Sequence, residues 1–479
     1  MLLKEQAGYQ EQENCQGREA DSCKEADSYR EADSCKEADS CREADSCKEA
    51  DSGWEADSYE EVVRFLLSLP LFTRKNDPAN TTRLLELLGH PEESFHVIHV
   101  AGTNGKGSTC AFLARIFQEE GRRTGLFTSP HLVRINERMQ LNGEQIPDEE
   151  FRNVFARTAR AVRRLKGEGG QDPTLFESLF AMGMCWFQER QADLVICETG
   201  MGGRLDATNT IVKADAEVIT SIGLDHTKYL GDTVELIASE KAGIIRPEVP
   251  CVYSAKDPAS ARVIREQCER KGAEAIGLMP EQAKILERRA GSILARLTLP
   301  AAQTLDLTIP FAAEYQVENA CLAAICALRL GARRESVQTA IARTKWPGRM
   351  EEIHKDVFLD GAHNPDGIRE IAREIRRVAA HRQVHLLTAI VADKDHKEMV
   401  RELCRGVTYG SIIVTTTGWR RKLDAALLAE EFRAAGQQSV TVEPDAGTAY
   451  RRAVREQAGS VLFCVGSLYL IGDIHYAEL

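Results

Sequence analysis

The hydrophobic positions of the chain form a repeating series of short apolar runs and helical stripes. Residues 94–102, SFHVIHVAG, are β-branched and apolar, which predicts a buried parallel strand. The next segment, 108–121, carries apolar side chains at helical spacing and ends at a glycine. Further strands are predicted at the start of residues 123–132, 192–209 and 216–231. Strands that alternate with helices in this way predict an α/β fold with a parallel sheet.

The N-terminal segment does not follow this pattern. The tetrapeptide EADS occurs seven times at a period of six between Glu19 and Ser58, so no apolar stripe builds up around a helix. We expect residues 1–57 to form a disordered acidic tail, with a helical tail as the alternative. The fold is predicted to start at a helix that Ser58 caps.

Charge, cysteine content and hydropathy argue against a nucleic-acid-binding, a disulfide-bonded and a membrane-spanning protein. The tail holds 17 acids and 7 bases, so it accounts for most of the net charge of -12. The remainder is nearly neutral and has no basic footprint for nucleic acid. Nine of the 14 cysteines follow the tail, several in apolar runs typical of reduced thiols. No run reaches the roughly 18 apolar residues of a membrane span, and we predict a cytoplasmic protein.

A glycine-rich loop, GTNGKGS, joins the first strand to its helix. Its spacing departs from the common G-x-x-x-x-G-K-[ST] pattern, because Gly107 follows Lys106 and the hydroxyl comes one residue late, at Ser108. At a strand–helix junction, backbone amides and a helix N-terminus can bind phosphate. Lys106 would neutralise the β- and γ-phosphates, and Ser108 or Thr109 could reach Mg²⁺. The alternative is a glycine-rich turn with a solvated lysine.

Polar side chains also stand at the ends of the later strands. Ser129 follows the second strand, Glu198 ends the third, and His226 follows the fourth. Ligands bind at this edge of open α/β sheets. A carboxylate, an imidazole and a hydroxyl that meet there would make a magnesium site, with phosphate oxygens completing the shell. Taken singly, Glu198 could be a solvated turn acid and His226 a loop histidine.

Taken together and in order, these motifs are specific. The chain from Tyr59 to its C-terminus resembles the folylpolyglutamate synthase/dihydrofolate synthase family of the Mur ligase superfamily. The motifs that carry the resemblance are HVAGTNGKGS, FTSPHLVRINER, PTLFE, ETGMGGRLDATN, SIGLDHTKYLG, IASEKAGII, WPGRME, LDGAHNPDG and VGSLYLIGD. The extra glycine of the phosphate loop is a mark of this family.

The resemblance implies ATP-dependent amide ligation. A folate carboxylate attacks the γ-phosphate of ATP to form an acyl phosphate, and the amino group of L-glutamate then displaces phosphate. Dihydropteroate is a second candidate substrate, which would make the enzyme bifunctional. Two alternatives stay open: a Mur-type ligase that joins amino acids to cell-wall precursors, and a non-catalytic P-loop nucleotide switch. A requirement for glutamate and a folate carboxylate in ADP release would separate them.

Site residues follow from the match to the family motifs. The residues expected to bind ATP are Asn104, Gly105, Lys106, Gly107, Ser108, Asn319, Arg349 and Asp360. The residues expected to hold two Mg²⁺ ions are Ser129, Glu198, His226 and Lys241, and those expected to be catalytic are Lys106, Lys241 and His363. The folate would contact Phe176, Glu177, Leu205, Asp206 and Ala207. A buried core position is the alternative for Phe176. A monovalent cation such as K⁺ is a further candidate cofactor.

Lys241 is the least obvious of these residues. The resemblance implies a lysine carbamate, which turns an amine into an anionic metal ligand and requires a lowered lysine pKa. The alternative is an ordinary helix-surface lysine paired with Glu240.

The implied architecture has two α/β domains. Residues 59–345 would form a P-loop-containing Mur ligase-like ATPase domain. Residues 346–479 would form a smaller Rossmann-like domain with strands near VFLDG, VHLLTAI, SIIVTTT, SVTVE and VLFCVGS. We expect ATP in the cleft between them, and a monomeric protein with small-molecule partners only.

Overall fold

The computed structural model describes Trp54, Ala56 and residues 58–70, 78–289, 291–418, 422–457 and 459–478. The strands are β1 His96–Ala101, β2 Thr124–Phe127, β3 Met139–Leu141, β4 Glu144–Gln145, β5 Leu194–Glu198, β6 Ala216–Ile219, β7 Cys251–Ser254, β8 Ala275–Leu278, β9 Ala283–Arg289, β10 Ser292–Thr298, β11 Thr304–Ile309, β12 Arg349–His354, β13 Val357–Asp360, β14 Val384–Thr388, β15 Ile412–Val414, β16 Val440–Val442 and β17 Val461–Val465.

The helices are α1 Tyr59–Ser68, α2 Pro78–Leu88, α3 Lys106–Glu119, α4 Asp148–Gly167, α5 Leu175–Glu189, α6 Thr227–Leu230, α7 Val234–Ala242, α8 Pro258–Lys271, α9 Tyr315–Arg329, α10 Arg334–Arg343, α11 Pro365–Ala379, α12 His396–Cys404, α13 Ala425–Ala434, α14 Ala446–Gln457 and α15 Leu468–Glu478. None of these helices is long and apolar enough to cross a membrane.

The larger sheet has the strand order β4-β3-β2-β5-β1-β6-β7-β8. The strands from β2 to β8 in this order pair in parallel, and β3 and β4 form an antiparallel hairpin at one edge. β1 lies at the centre with helices on both faces, which is why its apolar run is nearly continuous. Val97 packs with α1, α2, α4 and α5, whereas Ile98 and Val100 pack with α3, α9 and α10.

A three-stranded antiparallel sheet, β11-β10-β9, joins the second of these cores. Its buried side chains alternate along the strands, as in Leu305, Leu307 and Ile309 of β11. The sequence analysis did not predict these strands.

The C-terminal sheet has the order β12-β13-β17-β14-β15-β16 and is parallel except for β12. Helices α11, α12 and α13 cover one face, and α14 and α15 cover the other. The five strands expected in this part are present as β13 to β17, and the α/β fold class is confirmed. The domain limits at residues 59, 345 and 346 stay a prediction.

The first helix begins at the predicted cap, but the packed part of the chain begins earlier than the sequence predicts. The Ser58 hydroxyl accepts the Glu61 amide, and the Glu61 carboxylate accepts the Ser58 amide, so the predicted cap is confirmed. However, Trp54 is only 2% exposed and stacks on Phe155 with ring centroids 5.4 Å apart. The packed chain therefore begins before Ser58, because the last repeat pair, Gly53–Trp54, carries a large apolar ring. Apart from Trp54 and Ala56, the expected tail lies outside the described residues.

Candidate active site

Two cavities lie where the carboxyl ends of the central strands face the C-terminal sheet. The larger, of about 630 Å³, is lined by the glycine-rich loop and by residues of both sheets. The smaller, of about 210 Å³, is lined by the segments around Phe176 and Leu205 and by the C-terminal part of the chain. The two cavities meet at a shared wall that includes Ser129, His226 and His363.

The loop between β1 and α3 has room only for glycine at its key positions. Gly105 has φ 89°, and a Cβ there would lie 2.2 Å from Asn319 Oδ1. A Cβ on Gly102 would lie 1.8 Å from Thr220 Oγ1. The extra glycine, Gly107, faces the Trp346 ring, which a Cβ would approach to 3.2 Å. The positions of Gly102 and Gly105 therefore admit only glycine, whereas a side chain at Gly107 would require a small shift of Trp346.

Lys106 and Ser108 stand at the first turn of α3. The Lys106 ammonium donates to the Thr103 carbonyl at 3.3 Å and lies 3.9 Å from the Glu198 carboxylate. The Ser108 hydroxyl is buried and accepts from Gln316 Nε2 at 3.2 Å. The neighbouring Thr109 hydroxyl is buried with no partner among the described residues. Because a helix N-terminus attracts anions, this turn is suited to phosphate oxygens.

The four residues expected to hold magnesium, Ser129, Glu198, His226 and Lys241, all line the larger cavity. Glu198 is 4% exposed and accepts the Ser129 amide at 3.0 Å. Burial raises the pKa of Glu198, against the lowering effect of Lys106. Burial lowers the pKa of His226 to about 4, so its imidazole is neutral and available as a ligand at neutral pH.

The donor set fits a magnesium ion that shares phosphate oxygens. Within the described ranges, no group of three or more His, Cys, Asp or Glu side chains forms a metal cage. Magnesium is usually bound by one or two carboxylates together with substrate phosphates and waters. Glu198 and the Ser129 hydroxyl match that pattern, and neutral His226 adds a nitrogen donor on the same cavity wall.

Lys241 lies inside the protein, on α7. Its side chain donates to the Gly102 carbonyl at 2.7 Å and is 4% exposed. Burial and the nearby Lys106 lower the pKa of Lys241 to about 7, as the sequence analysis expected. The alternative of a surface lysine paired with Glu240 is wrong, because Glu240 instead accepts from Arg204 at 2.9 Å.

The residues expected on the nucleotide side also line the larger cavity. Asn319, on α9, is buried and donates to Gln316 Oε1 at 3.0 Å. Arg349 begins β12 and pairs in register with Asp360 at the end of β13. The Asp360 carboxylate accepts the Tyr315 hydroxyl and the amides of Met350 and Ala362.

His363 follows Asp360 on the wall between the cavities. Its Nδ1 lies 2.9 Å from the Gly361 carbonyl, so Nδ1 carries the proton and the other ring nitrogen is an acceptor. Burial and Lys394 lower the pKa of His363 to about 4, which keeps the ring neutral at pH 7.

The five residues expected to contact folate all line the smaller cavity. Phe176 is half-buried and packs edge-on against Phe127 with ring centroids 5.8 Å apart, so it combines a packing role with a face on the cavity. The Asp206 carboxylate accepts from the Met201 amide at 2.8 Å and from the Thr208 hydroxyl at 2.6 Å. Asp206 is buried, which raises its pKa.

Glu177 has a structural task as well, whereas Leu205 does not. Glu177 accepts the Thr174 amide at 2.7 Å in the cap of α5, and it also accepts from the Thr81 hydroxyl at 3.3 Å. Leu205 is 39% exposed and presents an apolar surface to the cavity.

Sequence reasoning missed a polar network that joins the two sheets across the cleft. The Lys394 ammonium lies 2.5 Å from the Asp225 carboxylate, and both side chains are about nine-tenths buried. Asn364 donates to Asp225 at 3.0 Å and to Asn104 of the glycine-rich loop at 3.0 Å. A charged run, ADKD, directly after the apolar run of β14 was the available signal for Lys394.

Comparison with known proteins places this geometry in a family. Residues 169–327 match the Mur ligase middle domain, and residues 348–468 match the Mur ligase glutamate ligase domain. The dihydrofolate synthase/folylpolyglutamate synthase of Bacillus subtilis is 33% identical over 415 residues, which cover 82% of this chain and 92% of that protein. The folylpolyglutamate synthase of Lacticaseibacillus casei is 32% identical over 356 residues, which cover 72% and 82%.

Solved structures of folylpolyglutamate synthases are similar to this chain in fold. Mycobacterium tuberculosis folylpolyglutamate synthase in complex with ADP superposes with a TM-score of 0.79 and 28% identity, covering 87% of this chain and 97% of that one. E. coli FolC in complex with DHPP and ADP gives a TM-score of 0.77 and 27% identity, covering 88% and 98%. The phosphate loop, the two joined cavities and these matches together show that the chain belongs to the folylpolyglutamate synthase/dihydrofolate synthase family of Mur ligases.

Proposed function

We propose that this protein is an ATP-dependent ligase that adds L-glutamate to the glutamyl carboxylate of tetrahydrofolate. Dihydropteroate, whose benzoate carboxylate is equivalent, is the second candidate acceptor. The observation that carries this proposal is the shared wall of the two cavities. A phosphate held by the glycine-rich loop and a carboxylate held by the smaller cavity would meet beside Ser129, His226 and His363.

The reaction has two balanced steps. A carboxylate oxygen of the acceptor attacks the γ-phosphorus, and the bond from that phosphorus to the bridging oxygen breaks to release ADP. The glutamate nitrogen then attacks the acyl carbon, loses a proton and expels inorganic phosphate. Both steps bring anions together, so cations must cancel the repulsion. Lys106 is the protein cation nearest to Glu198 and to the helix N-terminus where phosphate would lie.

Metal ions would share this task. Ser129, Glu198 and His226 would hold one Mg²⁺, which when bound supplies positive charge to the phosphate oxygens. Lys241 as a carbamate would offer an anionic ligand for a second. The buried position of this lysine and its pKa of about 7 support the modification, since carbon dioxide reacts with the free amine.

His363 would act next to the transferred group. Its neutral ring keeps an acceptor nitrogen on the wall between the cavities. That nitrogen can take the proton that the glutamate amine loses, provided that the amine reaches hydrogen-bond distance.

An assay of ADP release tests this function. Tetrahydrofolate and dihydropteroate are tested in parallel, each with and without L-glutamate, and the masses of the products are measured by mass spectrometry. We expect ADP release that depends on both the acceptor and glutamate, with a mass gain of one glutamyl residue. Nucleotide hydrolysis that needs no folate carboxylate would contradict the proposal and favour a P-loop switch.

Lys106→Ala provides the matched test of the phosphate loop. We expect turnover to fall by about 10²-fold or more with little change in melting temperature, because the phosphate charge is left uncompensated. Lys213→Ala, at an exposed lysine away from both cavities, is the control and should keep full activity. Activity of Lys106→Ala within a few fold of the parent would contradict this role.

A further inference from the structure

Arg138 is a buried cation on the wall of the smaller cavity. It ends a short 3-10 turn, Ile135–Arg138, directly before β3, and it is only 7% exposed. Phe176, Leu205 and Tyr469 line the same cavity. The turn places the guanidinium beside the surface where the folate is expected to lie.

The guanidinium has no acidic partner within ion-pair distance among the described residues. Its Nε donates to His131 Nδ1 at 2.9 Å. Because a guanidinium nitrogen can only donate, His131 Nδ1 is the acceptor of this hydrogen bond and brings no negative charge to Arg138. Burial lowers the pKa of Arg138 to about 10, which leaves the group charged at neutral pH.

Glu137 and Glu198 are the carboxylates that act on Arg138 electrostatically, and both already accept hydrogen bonds from backbone amides. Glu137 accepts the amides of Leu132, Val133 and Arg134 at 2.6 to 2.8 Å. Glu198 accepts the Ser129 amide and faces Lys106. The other permanent cation of this cavity, Lys394, is paired with Asp225. A buried charge without a counterion is costly, so the arrangement suits an anionic ligand.

We propose that Arg138 binds the α-carboxylate of the glutamyl residue that a folate substrate already carries. This rests on the proposed function. The γ-carboxylate of that residue is the one that reacts, and only two methylenes and the α-carbon separate the two groups. An α-carboxylate on Arg138 therefore leaves the γ-carboxylate in reach of the shared wall at Ser129, and two guanidinium nitrogens remain to hold it in a bidentate pair.

The consequence is a difference between the two acceptors. Dihydropteroate ends in its reacting benzoate and has no α-carboxylate, so it gains nothing from this contact. Arg138 is thus a specificity-determining residue for glutamyl chain extension, and not for the addition of the first glutamate.

Ligand binding tests the assignment without depending on turnover. Tetrahydrofolate is compared with an analogue in which γ-aminobutyrate replaces glutamate, so that the γ-carboxylate stays and the α-carboxylate is lost. We expect the parent protein to bind tetrahydrofolate about tenfold or more tightly than the analogue, as measured by fluorescence titration with a non-hydrolysable ATP analogue present.

In Arg138→Gln the two ligands should bind with equal affinity, because the affinity for tetrahydrofolate falls and that for the analogue does not. Arg134→Gln is the matched control, since this neighbouring arginine pairs with Asp148 at the surface and should leave the preference intact. Should Arg138→Gln fold poorly, Arg138→Lys keeps the charge but not the paired geometry, and should show a reduced preference.

Three outcomes would overturn the assignment. They are no preference in the parent protein, equal weakening of both ligands in Arg138→Gln, and a higher KM for free glutamate with unchanged folate binding. The last would place the incoming amino acid on Arg138 instead. Each is distinct from failure of the proposed function, in which no folate would support ADP release by the parent protein.

Discussion

Lys241 shows how strongly a residue's surroundings set its chemistry. A free ammonium beside magnesium would repel the metal, whereas burial favours the neutral amine, whose nitrogen can attack carbon dioxide and lose a proton to form the carbamate. We expect Lys241→Ala to lose most of its activity and short carboxylates such as acetate, at high concentration, to restore part of it. Lys241→Arg should not be rescued, because a guanidinium keeps the positive charge.

A carbon-13 signal from protein prepared with labelled bicarbonate measures the modification directly. The signal should be present in the parent protein and absent in Lys241→Ala. An unmodified amine in active, magnesium-loaded enzyme would refute the carbamate while leaving the ligase function in place.

Single site residues could be predicted from the sequence where they belong to a motif. Gly105, Glu198 and His226 could be placed because each ends or follows an apolar strand, and such ends meet at one edge of a parallel sheet. Arg138 and Lys394 could not be assigned in the same way. Their importance depends on which carboxylates lie close to them, and that is set by packing between segments far apart in the chain.

The elements were predictable in proportion to the strength of their patterns. β1 and α3 have continuous apolar faces and were found. β10 and β11 carry a clear alternation of buried and exposed side chains, as at Ile293, Ala295 and Leu297 of β10, which is typical of strands. β9 has mostly exposed positions, so its sequence alone gave little evidence of a strand.

The first turn of α5 links helix capping to the candidate folate site. The Thr174 hydroxyl accepts the Glu177 amide at 3.3 Å, and Glu177 accepts the Thr174 amide, which fixes the turn that carries Phe176. We expect Thr174→Ala to cost about 1 kcal/mol of unfolding free energy and to raise the KM for folate several-fold. The KM for ATP should change little.

Ser58→Ala removes an equivalent cap from α1 and is the matched control. It should lose similar stability in urea denaturation with no effect on the KM for folate. Equal KM changes in both variants would mean that the effect is one of general stability.

For the whole molecule, Trp54 decides where the fold begins. Its ring forms a cluster with those of Phe65 and Phe155, and Arg163 donates to its carbonyl at 3.1 Å. Removal of residues 1–53 should leave melting temperature and kinetics nearly unchanged. Removal of residues 1–57, or Trp54→Ala, should cost about 3–5 kcal/mol, because a buried ring is lost from the core.

Thermal melts of the two truncated proteins and of Trp54→Phe compare these cases. Trp54→Phe keeps an aromatic ring and should lose less stability than Trp54→Ala. Equal melting temperatures for the two truncations would show that Trp54 contributes nothing to the core.

The ion pair between Asp225 and Lys394 joins the two sheets across the cleft, so it should govern closure rather than folding. Burial alone would raise the pKa of Asp225, but His226 and Lys394 hold it well below the usual value, so the carboxylate stays charged at neutral pH. Asp225→Asn would leave Lys394 buried and unpaired in the closed form, at a cost of about 3–5 kcal/mol. Separation of the two parts relieves this cost by exposing Lys394 to water.

We therefore expect Asp225→Asn to keep its melting temperature within a few degrees, to increase the radius of gyration in solution scattering with a bound ATP analogue, and to lower kcat at least tenfold. Asp306→Asn removes an ion pair with Arg296 on the three-stranded sheet, where both side chains are about two-fifths exposed and neither lines either of the two cavities. An exposed pair contributes little, so this control should stay closed and active. Equal scattering profiles for Asp225→Asn and the parent would show that the buried pair does not hold the cleft shut, and a loss of kcat would then point to a direct role of the carboxylate beside His226.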